Sequence, residues 1–182
     1  MQTERGEYPT EDVVFAGGAW TPGLLGKLGV KMLMQAGKGY SITVSRPVVK
    51  PTRSYIFTER RVAVTPFPES LRFAGTMEIT GLNLQLNRRR IDAILESIPL
   101  YFENIQRPSP TVAELWAGLR PVTPDGLPYL GRIRRFRNAF VAAGHAMLGI
   151  SLAAVTGKLV GEIVQGRQPS IDIHLLSPDR FA

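Results

Sequence analysis

Residues 116–161 read WAGLRPVTPDGLPYLGRIRRFRNAFVAAGHAMLGISLAAVTGKLVG. Ala139 to Ala143 is apolar and uncharged, the pattern of a short buried strand, and Ser151 to Gln165 is expected to be helical because Leu152, Val155, Leu159 and Ile163 recur at i, i+3 or i+4. Between them stand Gly144, His145, Ala146, Met147, Leu148 and Gly149, with a glycine at each end. Glycine lets a backbone turn sharply and approach a ligand closely, and the unpaired N–H groups that open a helix form a positive pole. A strand, a tight turn and a helix start together make an anion site, with an ordinary strand-turn-helix connection as the bland alternative. Residues 139–155 hold no Asp, Glu, Lys or Arg. That run is still short of a membrane span, and Gly144, His145, Gly149 and Ser151 interrupt it.

Upstream in the same stretch, Gly118 and Pro121 box in Arg120. A carboxylate held away from water needs a planar, permanently charged fork, and only arginine supplies one. Two readings of Arg120 follow: a ligand for a substrate carboxylate, or a buried structural arginine paired with Asp125. Thr123, Pro124, Asp125 and Gly126 themselves form a turn signal, which assigns Asp125 to structure rather than catalysis.

The whole chain has 182 residues and no cysteine, which removes disulfides, thiolate nucleophiles and Cys-ligated zinc. Its two histidines, His145 and His174, stand 29 positions apart and make no His-rich metal site, so no metal is expected. Met1 to Thr10 lacks the apolar core of a secretory signal. Twenty-two basic against 15 acidic residues leave a net charge of +7, concentrated at Arg88–Arg90 and at Arg132, Arg134, Arg135 and Arg137. Solvated surface explains such clusters adequately, with anionic lipid or nucleic acid as the rival partners. Against nucleic acid, the arginines are not interleaved with stacking aromatics.

Asp12 to Ala16 reads as a strand closed by Gly17, Gly18, Ala19 and Trp20, with a Leu-rich helical segment running on to Leu28. Lys38–Val44, Arg53–Thr58, Arg61–Thr65 and Leu71–Ile79 are strands by their β-branched content and alternation, with a hairpin turn at Thr58–Arg60. Four strands with short connections and no helix between them predict an antiparallel sheet. Leu86 to Ile105 carries Ile91, Ile94, Leu95, Ile98 and Phe102 on one helical face, with Pro99 expected to kink or break it. Pro108, Ser109 and Pro110 mark a boundary.

Taken in order, Trp116 to Gly131, then Ala143-Gly-His with Leu148-Gly-Ile, then Thr156-Gly-Lys-Leu, resemble the C-terminal third of the FAD-dependent D-amino-acid dehydrogenase, glycine oxidase and sarcosine oxidase family. The resemblance implies an α+β (α/β) fold, with an antiparallel-sheet substrate domain and the C-terminal remnant of an FAD-binding Rossmann-like domain. The remnant would cover residues 1–32 and 112–182, and the substrate sheet with its helix would be an insertion at 33–111. FAD would be held non-covalently, with Ala16, Gly17, Trp20, Gly118 and the turn Gly144, His145, Ala146, Met147, Leu148, Gly149, Ile150 and Ser151 as its contacts. Arg120 would take the carboxylate of a small amino-acid substrate, and Tyr55 and Met77 would wall its side chain. A soft, unbranched Met suits varied side chains.

The implied reaction oxidises the Cα–N bond by hydride transfer to the flavin, and no residue stands out as an acid–base catalyst. Glycine oxidases carry an arginine in the turn after the Gly-His pair where this chain has Met147, which favours the dehydrogenase branch. The family's Gly-x-Gly-x-x-Gly fingerprint is missing; Gly23, Gly26 and Gly29 have the wrong spacing and no strand before them. The chain therefore reads as the C-terminal half of a flavoenzyme, completed by a missing N-terminal half or a second subunit. A cytoplasmic location is expected, with peripheral association with the inner membrane as the variant and no nucleic-acid partner. The competing readings are a truncated non-catalytic fragment and a basic binding module without enzyme activity.

Overall fold

The computed structural model of the chain describes residues 2–108 and 113–181. Its strands are β1 (Gln2–Thr3), β2 (Gly6–Glu7), β3 (Val13–Phe15), β4 (Gln35–Ser45), β5 (Tyr55–Phe57), β6 (Val62–Phe67), β7 (Ser70–Ile79), β8 (Ala113–Val122), β9 (Tyr129–Arg132) and β10 (Ala139–Ala143). Three α-helices accompany them: α1 (Thr21–Gly26), α2 (Arg88–Tyr101) and α3 (Gly149–Val164). The chain divides into two compact units, one of residues 1–36 with 120–182 and the other of residues 37–119.

In the first unit, β3 and β10 run parallel, β9 pairs antiparallel with β10, and β3 lies at the edge of the three-stranded sheet. Alternation along β10 sends Ala139, Val141 and Ala143 to one side, where they join Leu25, Met32, Tyr129 and Ile133 in a buried cluster. Phe140 and Leu130 are buried as well, and α3 packs against β9 and β10. Helix α3 begins two residues earlier than its apolar spacing suggested, so Gly149 is its first residue rather than the end of the turn. The Leu-rich segment after Trp20 is shorter than expected and leaves the helix at Gly26.

In the second unit the sheet order is β5-β6-β7-β4-β8. The expected antiparallel pairing of these strands is present, and the turn through Thr58 and Arg61 closes the β5–β6 hairpin with Arg61 in the left-handed region. Helix α2 lays Ile91, Ile94, Leu95 and Ile98 over Tyr40, Ile42, Val64, Leu71 and Phe73. The Asn87 side chain caps its start by accepting from the Arg89 amide at 3.1 Å. Pro99 does not break α2, which continues through Tyr101, although the proline forgoes the bond that an amide at 99 would donate to the Leu95 carbonyl.

The sheet has five strands, not four. The expected return to the first unit at residue 112, with the 111/112 boundary itself outside the described residues, comes instead at Arg120. Ala113, Leu115 and Ala117 pack against the α2 core, so this end of β8 belongs to the sheet beside β4. The lower boundary likewise falls at residue 37, inside β4, rather than at 33.

Candidate functional site

The parallel pair β3–β10 ends at Phe15 and Ala143, and the segments that leave those ends carry most of the expected cofactor contacts. Ala16, Gly17 and Trp20 follow β3, and Gly144 through Ser151 follow β10. Ligands of open parallel sheets collect at this carboxyl end. A groove of about 470 Å³ opens here, lined by Val14, Ala16, Ala142, His145, Gly149 and Gly157 among others.

The turn owes its form to Gly144. Its φ of +88° is open to glycine but strained for other residues, and a Cβ there would stand 2.7 Å from Thr123 Cγ2. Ala146 follows with φ +47° and donates its amide to Pro121 O at 3.0 Å, which ties the turn to the end of β8. Gly149 differs: a Cβ there would meet only His145 Cβ, at an ordinary 3.7 Å. His145 Nε2 lies 3.0 Å from Thr156 Oγ1, fastening the turn to α3, and burial pushes the imidazole pKa below its usual value, leaving the ring neutral at neutral pH.

No side chain caps α3 and no acidic residue sits in its first turn. Its first helical bond is donated by Leu152 to Leu148 O, so the amides of Gly149, Ile150 and Ser151 have no helical acceptor. Around this positive pole Met147, Leu148 and Ile150 stand exposed, Ile150 by 93%. An uncapped pole ringed by apolar side chains suits a planar ligand with an anionic edge.

Arg120 lies on β8, and its Nη1 is buried without a hydrogen-bond partner among the described residues. Burial pushes the guanidinium pKa down, though an arginine stays charged at neutral pH. Asp125, the competing structural partner, is already taken: Arg180 binds it through Nε to Oδ2 at 2.8 Å and Nη2 to Oδ1 at 3.0 Å. Arg180 also donates to Leu127 O, Pro128 O and Ser177 O and stacks 3.9 Å over the Tyr129 ring. Asp125 is thus a structural residue, as the turn signal suggested, and Arg120 is left half-buried with its Nη1 unpaired.

The Arg180 hydrogen bonds hold the Asp125 carboxyl at about 2, below its ordinary 3.8. A depressed carboxylate stabilises the fold fully above its unfolded value and loses that contribution as pH falls through the folded one. The melting temperature should therefore drop between about pH 4 and pH 2, and Arg180→Gln should flatten that part of the profile. Calorimetric scans of both proteins across this window check it.

Tyr55 and Met77 belong to the second unit, 44% and 48% exposed, and the sheet does not bring them together. Tyr55 pairs with Val64 and Val64 with Phe73, and both partners lie in the α2 core, so Tyr55 is on the helix side, with Phe102 edge-on at 5.8 Å. Met77 is on the opposite side. Between Lys38 and Tyr40 the register with β7 slips, with Lys38 facing Glu78 and Tyr40 facing Gly75, so Thr76 and Met77 form a bulge against Gly39. Thr76 sits at φ +59°, unusual for a β-branched residue, and its Oγ1 is buried without a partner. Glu78 locks the bulge by binding Lys38 Nζ at 3.1 Å and Arg90 Nε at 3.4 Å and accepting from the Tyr40 hydroxyl. Four residues along the strands and two strands across put Tyr55 and Met77 on the order of 16 Å apart.

Met77 shares its sheet side with Trp116 and Gly118, because the alternate residues Leu115 and Ala117 face α2. The Trp116 indole lies directly against Gly118, which leaves no room for a Cβ there. Sequence reasoning missed Thr76 and Arg180: the first needs the cross-strand register, the second a partner 55 positions away.

With this geometry in place, comparison with known proteins is direct. A family model described as FAD dependent oxidoreductase (DAO) matches residues 1–163, and the chain belongs to that family. It is 33% identical over 180 residues to a D-amino-acid oxidase of Bradyrhizobium diazoefficiens, covering 98% of this chain and 43% of that one. It is 35% identical over 183 residues to a D-amino acid dehydrogenase of Xanthobacter autotrophicus, covering 97% and 42%. The crystal structure of glycine oxidase from Geobacillus kaustophilus superposes with a TM-score of 0.85 at 28% identity, over 100% of this chain and 48% of the oxidase. The iminodiacetate oxidase of Chelativorans sp. BNC1, at 21% identity and TM-score 0.81, shares the fold. The chain thus spans less than half the length of the relatives it matches. Among the described residues no helix is long and apolar enough to cross a membrane, and no His/Cys/Asp/Glu cluster could hold a metal.

Proposed function

We propose that this chain is the substrate-binding and flavin-closing part of an FAD-dependent oxidase or dehydrogenase that oxidises the Cα–N bond of a D-amino acid. The observation that carries the reading is Arg120, a half-buried guanidinium whose Nη1 is buried without a partner, while Asp125, the acid five positions on, is engaged by Arg180. A guanidinium with a buried, unsatisfied nitrogen calls for an anion from outside the chain. The substrate carboxylate supplies it, held by the guanidinium fork so that the Cα–H is presented in one orientation. Bound FAD, held non-covalently, would accept the hydride.

The chain's own residues fit that cofactor. Gly144 lets the backbone turn approach closely, and the free amides of Gly149, Ile150 and Ser151 would offer positive charge to a bound flavin. Met147, Leu148 and Ile150 exclude water, while Ala16, Gly17 and Trp20 close the site from the end of β3. His145, neutral and held near Thr156, positions the turn rather than exchanging protons. Gly118, against which the Trp116 indole lies, leaves no side chain next to Arg120 on that face of β8. For the substrate side chain we retain Met77. Tyr55, on the helix side of its sheet, is a packing residue in this reading. The imine product would hydrolyse to a keto acid and ammonia, and no acid–base residue is required when the substrate amine arrives neutral.

The phosphate-binding fingerprint lies outside these residues, so the chain by itself should hold FAD only weakly. In a protein that joins it to a Gly-x-Gly-x-x-Gly half, anaerobic addition of a D-amino acid should bleach the flavin band while the L-enantiomer leaves it unchanged. A flavin that binds but stays oxidised with every D-amino acid tried refutes the reading. We place this protein in the cytoplasm, with no nucleic-acid partner.

A further inference from the structure

Of the basic residues grouped near 132–137, Arg135 is accounted for, since its Nη1 donates to Gly29 O at 3.1 Å and its guanidinium lies over Phe136. Arg132 and Arg137 line a different feature. Together with Arg167 and Asp12 they edge a cleft of about 510 Å³, whose apolar lining includes Phe140 and Ile163. It lies away from the flavin-side turn. Asp12 and Asn138 precede β3 and β10, and Arg167 follows the end of α3, so the cleft opens at the amino ends of the parallel strands. Register puts Arg132 opposite Phe140, on the same side of the sheet.

None of the three guanidiniums makes a hydrogen bond or ion pair among the described residues. The other prominent charges of the chain do: Lys38 and Arg90 bind Glu78, Arg88 and Arg107 bind Asp92, and Arg180 binds Asp125. The simplest structural use of arginines here would be to cap the negative end of α3. That end is already closed. Gly166, at φ +70°, donates to Ile163 O at 3.0 Å and the Arg167 amide donates to Glu162 O at 2.9 Å, the paired bonds of a glycine-terminated helix. Three like charges edging one cleft repel one another, and Asp12 offsets only one of them. The remaining two positive charges match a phosphate monoester, which carries about −1.5 to −2 at neutral pH. Guanidinium forks suit its oxygens, and the volume falls within the usual range for organic ligands.

We propose that this cleft is a binding site for a phosphate-bearing organic anion, its phosphate among Arg132, Arg137 and Arg167 and its apolar part against Phe140 and Ile163. The site is independent of the flavin reaction. A soluble phosphate ester and a phospholipid headgroup share this chemistry, and the test separates them.

Phenyl phosphate, inorganic phosphate and vesicles containing 30% phosphatidic acid are titrated against the full chain at constant ionic strength, with calorimetry for the soluble anions and co-sedimentation for the vesicles. Phenyl phosphate is expected to bind saturably and at least tenfold more tightly than inorganic phosphate. Arg167→Gln and Arg137→Gln, both on exposed loop positions, should each weaken it about tenfold, the loss of one charge-assisted contact. Vesicle binding that is sensitive to both substitutions and stronger than that of phenyl phosphate identifies a lipid headgroup. Phenyl phosphate binding without vesicle binding identifies a soluble ester. Failure of both to saturate, affinities unchanged in both variants, or tighter binding of a single-stranded oligonucleotide overturns the proposal.

Discussion

Arg120→Ala, in the flavin-loaded protein that carries this chain, is expected to cut kcat/KM for D-amino acids by roughly thirtyfold to several thousandfold, which corresponds to about 2 to 5 kcal/mol for truncating one partner of a buried charged pair. The range rests on the burial of Nη1 and on its lack of any partner within the chain. The carboxylate contact exists in both ground and transition states, so much of the loss should fall on KM. The rest falls on kcat as the Cα–H loses its orientation. Arg120→Lys keeps the charge without the fork and should recover only part of the loss. A substrate whose carboxylate is replaced by an amide supplies the control: the native protein should handle it poorly, and the substitution should cost it little further. An Arg120→Ala protein within about threefold of the parent on D-amino acids would sink the assignment.

The sequence singled out Arg120 but could not say which arginine pairs with Asp125. Within the sequence, Asp125 is five positions from Arg120 and 55 from Arg180, and proximity favours the wrong pair. Only the chain path that returns Arg180 beside Asp125 and Tyr129 decides it. The strand, turn and helix from Ala139 to Val164 were readable because their signals are local: an uncharged apolar run, glycine, and 3.6-residue spacing. Local signals do not report where a strand pairs. Ala113, Leu115 and Ala117 alternate with larger or polar neighbours, a half-buried strand pattern that was available, yet the prolines before them drew the boundary too early.

The pocket wall shows the same limit more sharply. Alternation predicts which residues share a face only while the register holds. At Thr76 it slips by one residue, and every side chain beyond is turned to the other side of the sheet. Tyr55 and Met77 were paired by the motifs around them, and the bulge separates them. A left-handed β-branched residue with a buried, unpartnered hydroxyl, as at Thr76, persists only when its surroundings enforce it. Lys38, Arg90 and Tyr40 around Glu78 provide that enforcement.

Gly144→Ala should be among the most damaging single-atom additions in the chain, and its cost can be divided. The φ of +88° strains any residue with a Cβ, about 1 to 3 kcal/mol. The new methyl would also stand 2.7 Å from Thr123 Cγ2, an overpacking of about the same size. Together they predict a loss of roughly 2 to 6 kcal/mol in unfolding free energy, most of the stability of a marginal domain. Thr123→Ser removes the clashing methyl and keeps the hydroxyl that donates to Leu127 O at 2.8 Å, so by itself it should cost little. In the double substitution the steric part should be recovered and the backbone part should not. Urea unfolding of the four proteins measures the split as a coupling energy of about 1 to 3 kcal/mol in favour of the pair. Flavin retention should follow the backbone part, since Ala146 and the uncapped start of α3 depend on the path the chain takes through residue 144. A single variant as stable as the parent would show that the turn can relax around a methyl group. A coupling energy near zero would show that the backbone, not Thr123, sets the whole cost.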